Sequence, residues 1–401
     1  MMPYIFTDDL IEDEWKCHIM AWTNHVEEGA FKQAVNLAKH PCVFHHVALM
    51  PDVHQGYGMP IGGVVAFKDA VSPNCVGVDI GCGMGAVQTD IKIEDMTQEK
   101  LIDIRERIED GIPTGFNTHK KRQVWDRFSY FEVIPRWMES REKEGHLMKS
   151  LGTLGGGNHF IEIQAGDDGY IWIMLHSGSR QVGKLVADFY NTLAKERNEE
   201  WHSELPASDL AFLPIASNDA QWYLRDMDFA LEFAEENRRR MLHKVKEIIF
   251  MMIPGSVVRE INIHHNYVTI ENHFGKNVWV HRKGATSAKE GQLGIIPGSM
   301  GTPSYIVEGL GNPDSFMSCS HGAGRSMGRM QACRTLEIED CFKAMEGIEF
   351  GGFGFTKVKK QKMFDVGEAP GAYKDIEEVM EFQKALVKPL VKLQPLAVVK
   401  G

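Results

Sequence analysis

Two periods of apolar residues run along the chain and predict its elements. Val35, Leu37 and Ala38 close an N-terminal helix before His40-Pro41 breaks the pattern. The run Val43-Phe44-His45-His46-Val47-Ala48-Leu49-Met50 is apolar and of strand length. It leads into Pro51-Asp52-Val53-His54-Gln55-Gly56-Tyr57-Gly58, which reads as a polar, glycine-rich loop whose Asp and His mark either a site edge or an ordinary turn. Further strands are predicted from Ile61 to Phe67, Cys75 to Ile80 and Ala86 to Ile91. Thr97 is a candidate N-cap for a helix with Leu101, Ile104 and Ile108 on one stripe, stopping at Gly111. A strand from Tyr170 to Leu175 precedes a mostly helical region, 182–252. Its longest helix sets Ala230, Phe233, Asn237, Met241, Val245, Ile248 and Met252 on one face, with Arg238 to Arg240 near the polar side. Strands follow around Ile261 to Asn266 and Val278 to His281. Asp375 caps a last helix, with Glu378 completing a capping-box pair and Ile376, Val379, Leu386 and Leu390 facing inward. Helices and strands are mixed without internal repeat or low-complexity linker. The expectation is an α/β (α+β mixed) fold, one large domain over 1–401, with central sheets flanked by helices.

Composition narrows the class. A chain of 401 residues buries a large core. Seven cysteines over that length, with no signal peptide at Met1-Met2-Pro3-Tyr4, point to a reducing, cytoplasmic setting and no disulfide framework. No apolar run approaches membrane-spanning length. A net charge of -11 argues against a generic nucleic-acid coat. A local basic groove stays open to Lys120-Lys121-Arg122, Arg238-Arg239-Arg240 and Lys357-Val358-Lys359-Lys360, each of which singly reads as a solvated face. The basic, aromatic region 112–150 is either a cap over the core or part of a polynucleotide surface.

Candidate chemistry gathers where strands meet glycine-rich loops, as on the loop side of α/β proteins. In Val76-Gly77-Val78-Asp79-Ile80-Gly81-Cys82-Gly83 a carboxylate and a thiol stand three apart across a glycine turn. A hard oxygen beside a soft sulfur suits a transition metal without choosing among zinc, iron and manganese. Gly152-Thr153-Leu154-Gly155-Gly156-Gly157-Asn158-His159 exposes backbone N–H groups suited to an anion, followed by an amide and an imidazole. His176 leads Ser177-Gly178-Ser179-Arg180, and Pro297 to Gly301 reads as an exposed turn. His18, His25, His40, His119, His146, His202 and His243 carry no such context and read as structural or surface. His159, His176, His265 and His321, with Asp79 and Cys82, exceed what one tetrahedral site needs. A dinuclear centre follows, with Cys82 a candidate bridge and one histidine left for other work. His321 shares its loop with Arg325, which suits phosphate and makes it the candidate covalent nucleophile. Gly155 to Gly157, Arg180, Lys283, Ser299 and Arg325 favour phosphoryl or nucleotidyl transfer over peptide hydrolysis.

The segments MPDVHQGYG, VGVDIGCGM, GTLGGGNHFIE, LHSGSR, HHNY, RKGA, IIPGSMG, SCSHGAGR, EAPGAYKD and the terminal VKG run in order from residue 50 to 401. In them the sequence closely resembles the RtcB family of GTP-dependent RNA ligases. That resemblance implies joining of an RNA 3′-phosphate or 2′,3′-cyclic phosphate end to a 5′-hydroxyl end, with GTP and two manganese ions. It implies His321 as the residue that takes GMP and a loop-built cleft for metal and nucleotide. Asp79, Cys82, His159, His176 and His265 become the expected metal ligands. Asn158, Glu162, Ser299, Arg325, Tyr373 and Lys400 become the expected guanylate contacts, with Asn266 near the phosphates. Regular alternation through 261–266 would instead group His264 with Asn262 and Asn266, so the choice of His265 requires the strand to end there. Gln181 and Gly367 depart from the family pattern. A metal-dependent phosphodiesterase or cyclic-phosphate hydrolase, and a non-catalytic RNA-binding protein, are the rival readings.

Overall fold

A computed structural model describes residues 3–7, 15–132, 134–138, 140–358 and 361–401. The periodicity above resolves into two large sheets. One orders its strands Tyr4–Phe6, His18–Ala21, Val43–Tyr57, Met59–Phe67, Lys276–Lys283 and Asn266–His273. The other runs Val257–His264, Gly83–Lys92, Tyr170–Ser177, Phe160–Gly166, Val387–Lys400, Ser304–Gly309 and Leu293–Ile296. Pairing is antiparallel except between His18–Ala21 and Val43–Tyr57. The fold is the expected mixture of α and β.

Local signals act where the sequence places them. The Thr97 hydroxyl accepts from the Lys100 amide and starts the helix Gln98–Gly111, which buries Leu101, Ile104 and Ile108. Those side chains meet Ile161, Ile173 and Leu242 under the seven-stranded sheet. Asp375 caps Ile376–Phe382 by accepting from the Glu377 amide. That helix is shorter than expected: Leu390 lies in the strand Val387–Lys400 and is only half-buried.

Other expectations change. The segment from Pro51 to Tyr57 is the far half of a long bulged strand, not a loop, because its backbone pairs with Met59–Phe67. The apolar run from Cys75 to Ile80 is not a strand: Pro73 opens a 3-10 turn through Cys75, and left-handed Gly77 (φ 94°) continues the loop. The aromatic region 112–150 belongs largely to the core, with Phe128, Phe131 and Trp137 packed against Tyr190, Phe229 and Phe233. Each such burial contributes about 1.5–3 kcal/mol, while Phe116 in the same region is exposed.

The basic clusters divide. Arg238 is not on a polar side; it is fully buried. Arg239 and Arg240 both pair with Glu236, at 2.6 Å each. Lys120, Lys121 and Arg122 are exposed. Lys359 and Lys360 lie outside the described residues. No described helix is long and apolar enough to cross a membrane.

Candidate functional site

The site is organised by the loop that carries Asp79 and Cys82. Left-handed Gly81 (φ 77°) lets the chain turn so that the Cys82 amide donates to the Asp79 carbonyl at 3.1 Å. Both side chains then face one imidazole nitrogen: His159 Nε2 lies 3.7 Å from Asp79 Oδ2 and 3.5 Å from Cys82 Sγ. The helix Asn218–Met252 braces this loop from behind. Arg238 donates to the Gly81 and Ser177 carbonyls at 2.9 Å each and to Asn262 Oδ1 at 2.7 Å. Burial lowers its pKa to about 10, with the Cys82, Glu235 and Asp79 groups opposing, so the guanidinium keeps its charge at neutral pH. Asn237, one residue earlier, accepts from the Gly152 and Thr153 amides and so holds the start of the triple-glycine loop.

Antiparallel register brings the histidines in. Phe160 pairs with His176, so His159 and His176 meet at adjacent strand ends. Each donates Nδ1–H to a backbone carbonyl, His159 to Leu154 at 2.8 Å and His176 to Asn158 at 3.1 Å. That leaves both Nε2 lone pairs aimed at Cys82 Sγ, at 3.5 and 3.2 Å. The strand Val257–His264 stops before His265. His264 turns toward Arg238, 3.0 Å away, while the His265 ring lies 5.2 Å from that of His176 and 4.8 Å from that of His321.

These residues fit a metal. Imidazoles fixed through Nδ1 by carbonyls are oriented as metal ligands are, and the carboxylate, thiol and imidazole donors suit a transition ion. Burial, with His159 adding to it, drives the His176 pKa far down, so its ring stays neutral. Burial and the Asp79 carboxylate push the Cys82 thiol well up, and a bound cation would reverse that balance and displace the proton. His265 Nδ1 is buried without a hydrogen-bond partner among the described residues.

Beside this cluster a pocket is lined by Asn158, His176, Ser299, His321, Arg325, Arg329, Glu368, Tyr373 and Lys400, among others. His321 is held by a fully buried carboxylate: its backbone N–H and ring Nδ1–H donate to Asp52 Oδ2 at 3.0 and 2.6 Å. Nε2 is left as the free lone pair. Gly324 (φ 74°) makes this approach possible, because a Cβ there would lie 2.4 Å from the Asp52 carbonyl oxygen. Opposite, Glu368 gathers the cations: Arg325 at 2.9 Å, Arg329 at 2.5 Å and Lys400 at 3.6 Å, with the Tyr373 hydroxyl donating to it as well. Burial opposes ionisation of Glu368, but Lys400 and Arg329 hold its carboxyl down at about 2.

Not every expected residue reaches the pocket. Glu162 lies buried in the adjacent strand, where Gln164 donates to it at 2.6 Å. Asn266 spends its amide on structure, donating to the Asp79 carbonyl and accepting from the Gly284 amide. Ser299 is buried, not on an exposed turn. Arg180 and Lys283 are not free for phosphate. Arg180 donates to the Gly115 carbonyl at 3.0 Å, and Lys283 is buried against the Tyr57 and Asn74 carbonyls. Sequence reasoning missed Glu368 and Arg329 as site residues and left Asp52 undecided. Glu368 sits inside a quoted motif, whereas nothing local marks Arg329.

Fold and site together define a mixed α/β protein with a thiol–imidazole cluster of metal-binding type beneath a cation-rimmed pocket. The family model described as tRNA-splicing ligase RtcB matches residues 33–136 and 129–401. The chain is 40% identical over 406 residues to the RNA-splicing ligase RtcB of Escherichia coli (strain K12), covering 96% of this chain and 97% of that protein. It is 31% identical to the RNA-splicing ligase RtcB of Mycobacterium tuberculosis, covering 92% of this chain and 100% of the relative. Against the tRNA-splicing ligase RtcB of Pyrobaculum aerophilum the identity is 30%, over 92% and 90% respectively. The chain belongs to the RtcB family.

Proposed function

We propose that this protein is an RNA ligase that joins 3′-phosphate or 2′,3′-cyclic phosphate ends to 5′-hydroxyl ends, using GTP and manganese, through a GMP adduct on His321. Family membership supports the RNA-ligase reading. The observation that carries the chemistry is the His321 ring, anchored through Nδ1 to Asp52 at 2.6 Å in the pocket that holds Arg325. An imidazole tied this way presents one defined ring nitrogen, Nε2, to the pocket as the nucleophile.

In this reading His321 Nε2 attacks the α-phosphorus of GTP. A P–N bond forms, and the α–β bridging oxygen leaves with pyrophosphate. The Nδ1 proton stays on the ring and its hydrogen bond to Asp52 stabilises the cationic adduct. An RNA 3′-phosphate oxygen then takes the GMP, and the broken P–N bond returns its electron pair to Nε2. The 5′-hydroxyl of the second RNA attacks the activated 3′-phosphorus, the bond to the GMP oxygen breaks, and the hydroxyl proton passes to the departing GMP or to solvent; a cyclic phosphate is hydrolysed beforehand. Asp79, Cys82, His159, His176 and His265 are the residues that would hold two Mn2+ ions, whose charge offsets that of the phosphate oxygens. Asn158, Ser299, Arg325, Tyr373 and Lys400, which line or rim the pocket, would hold the guanylate.

The test is GTP radiolabelled at the α-phosphate, incubated with manganese. Wild type takes covalent label and His321→Ala takes none, with metal content unchanged. Label retained by His321→Ala moves the nucleophile to another imidazole. No label on wild type makes the centre that of a metal-dependent phosphodiesterase or of a non-catalytic RNA-binding protein.

A further inference from the structure

A second group of histidines lies on the six-stranded sheet and shares no residue with the Cys82 cluster. It is built by register and by one irregularity. The parallel pairing of His18–Ala21 with Val43–Tyr57 sets His18 directly beside His46. In a regular strand His45 would point to the opposite face from His46. Here the register slips between Phe44 and Val47, and His45 takes a left-handed backbone with φ 65°. A β-bulge of this kind re-aims a side chain, and a non-glycine residue held at positive φ carries a strain that the surroundings must sustain. The result is that His45 Nδ1 lies 2.8 Å from His46 Nδ1. One nitrogen from each of His18, His45 and His46 falls within 4.8 Å of the others.

The three rings are positioned as well as gathered. His46 is fully buried, and its Nε2–H donates to the Asp314 carbonyl at 2.5 Å. Its tautomer is thereby set, with the Nδ1 lone pair facing the other two rings, the same carbonyl-to-imidazole arrangement that orients metal-ligating histidines. Phe316 stacks on His46 at 4.3 Å and Phe274 stacks on His45 at 3.8 Å, fixing both ring planes. His18 stacks on His46 at 5.5 Å and is half-buried, while His45 is exposed and keeps an entry path. Burial drives the His46 pKa down to about 3, against the Asp314 hydrogen bond, and burial together with His45 lowers that of His18. At neutral pH both rings therefore offer lone pairs without a competing proton.

We propose that His18, His45 and His46 form a second metal site, a three-imidazole set for one divalent transition ion of the zinc, nickel or copper class. An all-imidazole set selects these ions over magnesium or calcium, which require oxygen donors. Three histidines leave the fourth tetrahedral position for water. Binding at His45 Nδ1 needs only the ring's tautomer to change: the proton leaves Nδ1 and one is taken up at Nε2 from solvent, with no net loss of charge. The two Nδ1 atoms must open by about half an ångström to span an ion at ordinary Zn–N distances.

Zinc is the probe. The full-length protein is dialysed to equilibrium against ZnCl2 and its zinc content measured, for wild type, His18→Gln and His45→Asn. Asparagine is chosen because it tolerates the left-handed backbone at that position. Each variant is expected to hold one zinc fewer than wild type while keeping the wild-type melting profile in the absence of metal. Zinc bound to wild type, with Cys82→Ser retaining an ion that His18→Gln lacks, assigns that ion to this site. Equal zinc content in wild type and both variants overturns the proposal and leaves the rings as aromatic packing. Should one variant fail to fold, the other decides alone, since each removes one of only three ligands.

Discussion

Asp52 Oδ2 accepts hydrogen bonds from both the backbone N–H and the ring Nδ1–H of His321, although the two residues lie 269 positions apart in the chain. The carboxylate determines which imidazole nitrogen faces the pocket.

Replacing it with an amide tests that role. Asp52→Asn keeps the shape but can present an NH2 group to Nδ1, which favours the tautomer whose proton sits on the reactive Nε2. GMP labelling is expected to slow by about 10²–10⁴-fold, as for other positioned acid–base groups, with metal content unchanged. A labelling rate equal to wild type would reduce Asp52 to a packing residue.

Cys82 is the second point of leverage. Its sulfur lies within 3.5 Å of the Nε2 atoms of both His159 and His176. Cys82→Ser substitutes a hydroxyl that stays protonated at neutral pH, so both ions of the proposed pair should weaken. Elemental analysis after manganese dialysis should show loss of roughly two equivalents if the sulfur bridges. Loss of only one would make Cys82 a terminal ligand.

Arg238 should matter for stability and site order rather than as an RNA contact. Arg238→Met removes the donor that reaches the Gly81 and Ser177 carbonyls at 2.9 Å, and leaves the Gly81 carbonyl only His264 Nδ1, 3.2 Å away, as a hydrogen-bonding neighbour among the described residues. Buried polar groups left unpaired cost about 1–3 kcal/mol each, so with one or both carbonyls unpaired the unfolding free energy should fall by roughly 1–6 kcal/mol in a denaturant titration. An unchanged denaturation midpoint would mean that water replaces the guanidinium without penalty.

Glu162 gives a pH signature. Burial raises its carboxyl to about 8, against the pull of Lys400. An ordinary glutamate in the unfolded chain titrates near ~4.3. Between those values the folded protein holds a proton that the unfolded chain has lost, so this residue makes stability fall as pH rises from about 4.3 toward about 8. Glu162→Gln removes that slope and should be more stable than wild type at pH 8, by an amount on the order of a few kcal/mol. Melting temperatures of the two proteins across this range decide the matter: parallel curves would mean Glu162 titrates normally.

Much of the site is legible in the residues themselves. The glycine-flanked Asp79–Cys82 turn and the loop pairing His321 with Arg325 depend on neighbours within a few positions, where turn chemistry acts, whereas side-chain alternation favoured His264 and the choice of His265 came from the family resemblance. The Thr97 cap and its Leu101, Ile104, Ile108 stripe belong to the same local physics. Tertiary structure decided the rest. Asp52 was ambiguous because a carboxylate in a polar segment reads equally as a turn until pairing with Met59–Phe67 makes that segment a strand. Arg238 looked solvated because sequence reports charge but not desolvation; only the packed helix shows the carbonyls that compensate its burial. Glu368 could not be singled out, since its role comes from Arg325, Arg329 and Lys400 converging from separate segments. The His18–His46 pair depended on a parallel register, and the turn of His45 on a bulge, which no periodic pattern encodes because a bulge is where the period fails.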